Sequence, residues 1–317
     1  MTFSPSTSYQ LRGAFLVAFS GLLYGMIGYF GTKLFSCHFS VENMLFWRFF
    51  IAMLWVVMTS LWTKESLFHP HTVDYLLLGR TILIGVVAYS AGSSFYFIAS
   101  KHIGTGLAMV IFFSAPVFVT LFAWLFSSWR MNKYAFSSLV AVIGGLILLK
   151  GQGEDQLDLL GILFAIIAAF FYAIYIYFNQ YSAKVINSRL LTFLICLGNT
   201  IIFFAVASYT HTLAMPRTLD TWFYVGVISI VSTALPIQLL LDGLKYISPI
   251  KASILSVLEP VVTVLMGVAL LDESISSMQL VGVLIILLGA LFIQFDQHET
   301  KTKDGRKNDV KSPLYTS

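Results

Sequence analysis

The 317-residue chain is too apolar for a water-soluble protein, because 58% of its residues are hydrophobic and 11% are charged, against roughly 25% charged in a typical soluble domain. Its mean hydropathy of +0.84 excludes the soluble classes. The formal charge of +4 is small and two cysteines cannot form a disulfide framework, so the positions of the charges carry the remaining information.

Ten stretches of the chain stay apolar for about 20 residues, the length that a helix needs to cross the hydrocarbon core of a bilayer. They are residues 13–34, 44–62, 77–99, 104–127, 134–150, 159–179, 190–210, 221–243, 250–271 and 277–295. The first of them is too long for a signal-peptide core, so we expect an uncleaved first helix. The expected fold class is an all-α integral membrane protein with ten transmembrane helices. The charged tail after Gln297 predicts a disordered segment.

Lysine and arginine residues outside the spans predict the orientation of the chain, because cytoplasmic loops carry an excess of both. With the N-terminus inside, thirteen of them face the cytoplasm and four face the opposite side. The sequence therefore predicts that both termini are cytoplasmic.

The two halves of the chain repeat one another within the predicted spans. Lys101-x-Ile103, followed by Ala115-Pro116-Val117, returns 144 residues later as Lys245-x-Ile247 followed by Glu259-Pro260-Val261. Five helices are an odd number, so the second half must be inverted relative to the first. We expect one repeat in residues 1–150, a second in residues 151–296 and a cytoplasmic tail in residues 297–317. Inverted repeats of this kind are typical of secondary transporters.

The acidic residues point to one position. Fourteen of the fifteen lie in loops, at span ends or in the tail, and Glu259 alone falls near the centre of an apolar run. A charge there costs at least ~2.5 kcal/mol on insertion scales, so it usually faces a cavity or a partner. Ser256 and Thr263 share its helix face. Glu259 could carry a coupling proton, pair with an amine or hydrogen-bond donor of a solute, or form a structural hydrogen bond to a neighbouring helix.

Polar stripes on three other helices could line the same cavity as Glu259, because small-molecule pockets combine apolar and aromatic walls with a few polar groups. The alternative for each residue is an interhelical hydrogen bond or a place in the interfacial aromatic belt. Three prolines interrupt the spans and are the expected hinges of alternating access. The stripe residues are Tyr89, Ser93, Tyr96, Tyr172, Tyr175, Asn179 and Gln238, and the prolines are Pro116, Pro236 and Pro260.

Two further features predict packing and anchoring. Gly21 and Gly25 have the small-xxx-small spacing that lets helices approach closely. Arg48 lies about one turn inside the outer end of the second span, where its long side chain could snorkel to the interface. We expect it to be an anchor or an ion-pair partner rather than a solute ligand.

Two other classes of membrane protein agree less well with the sequence than a carrier. An embedded enzyme would need a base beside a nucleophile, and all six histidines lie in loops, near span ends or in the tail. A channel would need a carbonyl filter or a charged ring, and neither pattern occurs. The sequence also lacks a phosphate-binding Gly-x-x-x-x-Gly-Lys-Ser/Thr motif. A secondary carrier, with no cofactor and no nucleic-acid partner, is therefore the leading hypothesis.

The residues resemble the EamA family of the drug/metabolite transporter superfamily. The resemblance rests on ten predicted spans in two halves, on Trp47-Arg48-Phe49-Phe50, and on the matched Ala115-Pro116 and Glu259-Pro260 motifs. It covers about residues 10–296 and excludes the tail.

The resemblance implies an inner-membrane carrier with a central cavity between its halves. Members move amino acids, nucleobase-like compounds, other metabolites and drugs, frequently outwards. We therefore expect an exporter of a small organic solute, and import of a metabolite from a host or the medium is the alternative. The expected partners are the solute, the lipid bilayer and protons, and one chain suffices as a monomer because it contains both halves.

Overall fold

The computed structural model describes residues 7–63, 75–103, 105–127, 133–149, 158–256, 258–271 and 277–292. Within these ranges every regular element is helical. The elements are α1 (Thr7–Tyr24), α2 (Ile27–Ser36), α3 (Val41–Thr63), α4 (Tyr75–Ile103), α5 (Thr105–Phe112), α6 (Ala115–Ser127), α7 (Lys133–Leu149), α8 (Leu159–Val185), α9 (Ser188–Tyr209), α10 (Leu219–Ser229), a π-helical turn (Ile230–Ala234), α11 (Leu235–Gly243), α12 (Pro249–Leu255), α13 (Leu258–Leu271) and α14 (Ser277–Phe292). The tail expected at 297–317 lies outside the described residues.

Six helical segments within those ranges are long and apolar enough to cross a bilayer, and they make the chain a multi-pass membrane protein. They are Ser8–Ser36, Val41–Trp62, Leu83–Ile103, Leu159–Lys184, Ser188–Tyr209 and Leu219–Gly243, at the positions of the first, second, third, sixth, seventh and eighth predicted spans. The other four predicted spans correspond to shorter helices. Two of them, α7 and α14, have 17 and 16 residues, just below the ~20 of a typical span.

The remaining two are each divided by a break, and a break also divides the first span. In the first span, α1 ends at Tyr24 and α2 begins at Ile27. Between α5 and α6 the helix is interrupted at 113–114, and α12 ends at Leu255 before α13 begins at Leu258.

The three predicted hinge prolines each lie in the first turn of a helical segment. Pro116 is the second residue of α6, Pro236 the second of α11 and Pro260 the third of α13. At Pro116 and Pro260 proline fits because its missing N–H would have no helical partner in the first turn, whereas Pro236 follows the π-helical turn directly. Bending at these positions during a transport cycle stays a prediction.

The helices pack in antiparallel pairs around a buried centre. α4 packs along α8, with Gly161 of α8 beside Ile103 at one end and Gly85 of α4 beside Asn179 near the other. α3 packs along α9, α7 along α14, and α1 along α11. Side chains such as Phe49 and Tyr175 fill the middle, whereas Leu159, Leu219 and other large apolar residues are exposed on the outside, as lipid-facing residues are.

Candidate functional site

A cavity lies among α1, α2, α3, α4, α5, α8 and α13. Its wall combines aromatic and apolar side chains with a few polar groups, which is the character of small-molecule sites. Five of the residues that the sequence predicted for the cavity line it. These are Tyr89, Ser93, Tyr96, Tyr172 and Glu259.

Three helix breaks meet at this cavity. Tyr24 ends α1, Ile27 begins α2, and Phe112 ends α5, and all three residues line the cavity. Glu259 lies in the first turn of α13, where the partial positive charge of a helix N-terminus favours a carboxylate. Broken helices at a central site are a recurrent feature of transporters, since they place free backbone groups and helix ends at the solute.

The break between α1 and α2 is held against α13 by close packing. Thr263 Oγ1 donates to the Gly25 carbonyl oxygen at 2.8 Å. This bond gives a carbonyl group at the break a hydrogen-bond donor. A Cβ atom on Gly25 would collide with Val262 and lie 2.7 Å from the Glu259 carbonyl oxygen, and one on Gly21 would lie 3.2 Å from the Ser256 carbonyl oxygen. The close approach predicted from the Gly21 and Gly25 spacing is therefore confirmed.

Arg48 corrects the sequence-based expectation. Its side chain is 2% exposed and lines the cavity, so it does not snorkel to the interface. Its Nε donates to Thr233 Oγ1 at 2.6 Å and its Nη2 to the Tyr89 hydroxyl at 3.3 Å. These partners belong to the π-helical turn and to α4, so the position of the guanidinium depends on helices distant in sequence.

The Arg48 contacts extend into a chain of hydrogen bonds across the cavity wall. The hydroxyls of Tyr24 and Tyr89 lie 3.0 Å apart and form a hydrogen bond. Thr233, Arg48, Tyr89 and Tyr24 thus connect the π-helical turn, α3, α4 and the end of α1. The chain ties both halves of the sequence to one wall of the cavity.

Two tyrosine hydroxyls at the cavity lack a partner. Tyr96 and Tyr172 are buried, and neither hydroxyl forms a hydrogen bond to the part of the chain that the structure describes. The Phe112 ring contacts both, with ring centroids 5.3 Å from Tyr96 and 5.0 Å from Tyr172. A buried polar group without a partner is costly, so these hydroxyls are suited to bind a solute or water.

Glu259 is 6% exposed, and its carboxylate forms no hydrogen bond or ion pair with the described residues. Arg48 lines the same cavity. The cavity therefore holds one buried cation and one buried acid between aromatic walls, together with the two hydroxyls just described. Such a set can bind a molecule that carries both charges.

The other predicted site residues do not line the cavity. Ser256 donates to the Ala252 carbonyl oxygen, and Asn179 donates to that of Tyr175. Thr263 holds the break at Gly25, and Gln238 is half-buried on α11. Tyr175 packs against the lining residue Tyr89, and their ring centroids are 4.9 Å apart.

Sequence reasoning missed seven lining residues. They are Tyr24, Ile27, Arg48, Ala88, Gly92, Phe97 and Phe112. Most are apolar and indistinguishable in sequence from lipid-facing residues. Arg48 had a usable signal, since an ionisable residue within a span is a functional candidate by default. The described ranges hold no group of three His, Cys, Asp or Glu side chains that could bind a metal ion.

Comparison with known proteins relates this chain to a family of transporters. The sequence profile of the EamA-like transporter family matches residues 11–150 and 159–295. The chain is 24% identical over 234 residues to the uncharacterized transporter YcbK of Bacillus subtilis, which covers 70% of this chain and 73% of that protein. It is 26% identical over 219 residues to an uncharacterized transporter of Archaeoglobus fulgidus, covering 69% of this chain and 76% of that protein.

Two more relatives extend over most of the chain. The uncharacterized transporter YxxF of Bacillus subtilis is 23% identical over 300 residues, 90% of this chain and 91% of that protein. A solved crystal structure superposes with a TM-score of 0.72 over 90% of this chain and 96% of that chain, and at 18% identity the likeness is one of fold. The family and the relatives' names point to a transporter rather than an enzyme. Because the profile covers most of its length, the chain belongs to the EamA-like transporter family of the drug/metabolite transporter superfamily.

Proposed function

We propose that this protein is a secondary active transporter of the inner membrane that moves a small zwitterionic, amino-acid-like metabolite by alternating access. One observation carries the solute class: a basic side chain, Arg48, and an acidic one, Glu259, are both buried and line one cavity. A solute carboxylate would bind the guanidinium and a solute ammonium would bind Glu259. Phe97 and Phe112 offer apolar surface for the rest of the molecule.

The free hydrogen-bonding capacity of these groups supports a ligand between them. A guanidinium has five N–H donors, and the protein uses one at Nε and one at Nη2 of Arg48. The Tyr96 and Tyr172 hydroxyls and the Glu259 carboxylate lack partners among the described residues. Charges and hydroxyls buried in this way are stabilised when a solute completes their contacts.

We further infer a ten-span architecture of two inverted halves, residues 1–150 and 151–296, with both termini cytoplasmic. The helix packing supports it, because corresponding helices of the two halves have corresponding neighbours in the opposite half. α8 packs against α4, α5 and α6, and its counterpart α1 packs against α11, α12 and α13. α3 pairs with its own counterpart α9, and α7 with α14. The two separate segments matched by the family profile agree with the same division.

Glu259 is the proposed coupling residue. It is the acid among the lining residues, so a proton and a solute ammonium would compete for the same carboxylate. Each cycle would then move the solute in one direction and a proton in the other, which favours export when the proton gradient is directed inwards. Import is the alternative when the solute gradient dominates.

The decisive experiment compares three solutes that share a phenyl group and differ in whether they carry an amine, a carboxylate or both. Purified protein in liposomes would be tested for counterflow of radiolabelled phenylalanine in competition with phenethylamine, which lacks the carboxylate, and 3-phenylpropionate, which lacks the amine. Leucine with its two analogues would test an aliphatic side chain. We expect only the zwitterions to compete and to drive counterflow.

Two variants test which side chain binds the ammonium and which binds the carboxylate of the solute. Glu259→Gln should abolish the response to a pH gradient and weaken zwitterion binding. Arg48→Gln should weaken zwitterion binding and remove the preference for phenylalanine over the amine analogue. Glu42→Gln is the matched control, because Glu42 lies in the first turn of α3 and does not line the cavity. Equal competition by all three solutes would overturn the zwitterion proposal. Full pH-driven transport by Glu259→Gln would overturn its coupling role.

A further inference from the structure

The repeated Lys-x-Ile motif packs in each half against a glycine near the start of the other half. At one end, a Cβ atom on Gly13 of α1 would lie 2.7 Å from Tyr246 Cβ and 3.1 Å from Ile247 Cγ2. Gly243, at the end of α11 just before this motif, is also close, since a Cβ there would lie 3.0 Å from the Gly13 carbonyl oxygen. Only a residue without a side chain fits between these backbones.

The second copy of the motif makes the same contact with the halves exchanged. A Cβ atom on Gly161 of α8 would lie 2.7 Å from His102 Cβ and 2.5 Å from Ile103 Cγ2. In both contacts the middle residue of the motif presents its Cβ and the isoleucine presents its Cγ2. Gly161 is the third residue of the second family segment, as Gly13 is of the first. The duplicated sequence therefore builds two equivalent contacts.

The two contacts lie at opposite ends of the helix bundle. Gln180 Nε2 donates to the Ile247 carbonyl oxygen at 3.3 Å, so the Gly13 contact lies near the C-terminal end of α8. Gly161 is 19 residues earlier on the same helix (180 − 161), which corresponds to about 28 Å. Tyr172, which lines the cavity, lies between them. The cavity is thus enclosed between two contacts that are separated by nearly the thickness of the hydrocarbon core.

Different side-chain interactions reinforce the two glycine contacts. His102 Nδ1 donates to Asp158 Oδ2 at 2.7 Å beside Gly161. At the other end the Tyr246 ring stacks on Tyr9 at 6.0 Å and lies 5.7 Å from the Arg12 guanidinium. One contact is reinforced by a hydrogen-bonded pair and the other by aromatic and cation–π contacts.

We propose that these contacts are the two gates of the transport cycle: Gly13 against Tyr246 and Ile247 closes the cytoplasmic end, and Gly161 against His102 and Ile103 closes the opposite end. The inference rests on the proposed function, in which one end of the cavity opens while the other stays closed. The contacts suit this role because each lies at one end of a helix pair that joins the two halves, α1 with α11 and α4 with α8. A methyl group added at either glycine would disfavour the closed form of that gate alone.

The test uses two alanine substitutions that should act in opposite directions. A reporter cysteine, Ser93→Cys, would be placed in the cavity of a chain whose native Cys37 and Cys196 are replaced by alanine. A membrane-impermeant maleimide would then be applied to right-side-out and to inverted vesicles. Gly13→Ala should raise labelling from the cytoplasmic side relative to the opposite side by roughly tenfold, and Gly161→Ala should lower that ratio similarly.

Matched controls separate gating from general damage. Gly226→Ala adds the same methyl group where the described structure has no atom within 4 Å, so the labelling ratio should not change. If an alanine variant fails to fold, Tyr246→Ala and His102→Ala weaken the same two gates without adding atoms, and they should shift the ratio in the same opposite directions.

Two results would overturn the gates: shifts of both variants towards the same side, or unchanged ratios in folded variants. The labelling needs no solute, so opposite shifts in a protein that transports none of the tested zwitterions would contradict the proposed function and leave the gates standing.

Discussion

Arg48 and Thr233 form a buried hydrogen bond in which Arg48 is the donor, because a guanidinium has no acceptor. Thr233 Oγ1 donates its proton to the Ile228 carbonyl oxygen at 2.7 Å and accepts from Arg48 Nε at 2.6 Å. The acceptor carbonyl is five residues back, the spacing of the π-helical turn that begins at Ile230. Such π-turns frequently occur at functional sites. Here the turn positions the acceptor that holds the cavity's guanidinium.

Thr233 should therefore affect solute binding through Arg48. Thr233→Val keeps the shape and removes the acceptor, so we expect the apparent affinity for a zwitterion to fall about tenfold, the usual size of a lost hydrogen bond to a charged group. Thr233→Ser should retain it. Solute binding measured by ligand-induced thermal stabilisation checks this. Equal affinity in Thr233→Val and the wild type would show that the bond does not position Arg48.

The tyrosines of the cavity should divide into two groups. Removing the hydroxyl in Tyr96→Phe or Tyr172→Phe takes away a buried group without a partner, so the Tm of the solute-free protein should stay the same or rise. Solute-induced stabilisation should decrease in both. Tyr89→Phe is the contrast, because its hydroxyl bonds to Tyr24 and Arg48. We expect it to lower the Tm without solute, and equal Tm changes in all three would contradict the assignment.

Gly25→Ala should destabilise the protein. The added Cβ would collide with Val262 and lie 2.7 Å from the Glu259 carbonyl oxygen, and overpacking of this kind typically costs about 1–3 kcal/mol. Thermal unfolding in detergent, with Gly226→Ala as the uncrowded control, measures the difference. A Gly25→Ala protein with the Tm of the control would show that the break can move away from α13.

The Asp158 contact predicts a specific pH dependence. The hydrogen bond from His102 is the main cause that lowers the pKa of Asp158 below its ordinary 3.8, and the Gly161 and Leu160 amides act in the same direction. The ionised Asp158 therefore stabilises the folded protein at any pH above the ordinary pKa. This stabilisation is lost as the pH falls through the lowered pKa.

Asp158→Asn retains a side-chain acceptor for the start of α8 and removes the charge. We expect the Tm difference from the wild type to shrink as the pH falls below about 4. Differential scanning fluorimetry across this range checks the trend. A difference that grows as the pH falls would contradict it.

The proposed topology predicts the location of the C-terminal tail. A reporter active only in the cytoplasm, fused after Gln297, should be active, and one active only outside should be silent. A reporter at Leu213, in the segment between α9 and α10, should give the opposite pattern. An external signal after Gln297 would rule out ten spans with a cytoplasmic N-terminus.

Part of the site was predictable from sequence because it depends on local properties. The solitary position of Glu259 identifies it without a structure, and helical spacing places Tyr89, Ser93 and Tyr96 on one face of α4. The same reasoning selected Ser256 and Thr263, which share the face of Glu259 but bond to backbone carbonyls. Periodicity states which residues share a face and leaves open what that face meets.

The sequence by itself determined the membrane class, the helical fold and the acid at the centre, because transfer into a bilayer depends on the composition of each segment. The tertiary structure alone decided that Arg48 faces the cavity and that the first span breaks at Gly25. Both depend on partners far along the chain: Thr233 is 185 residues from Arg48, and Thr263 is 238 residues from Gly25. Interactions between such distant segments arise only when the helices pack, and no local pattern encodes them.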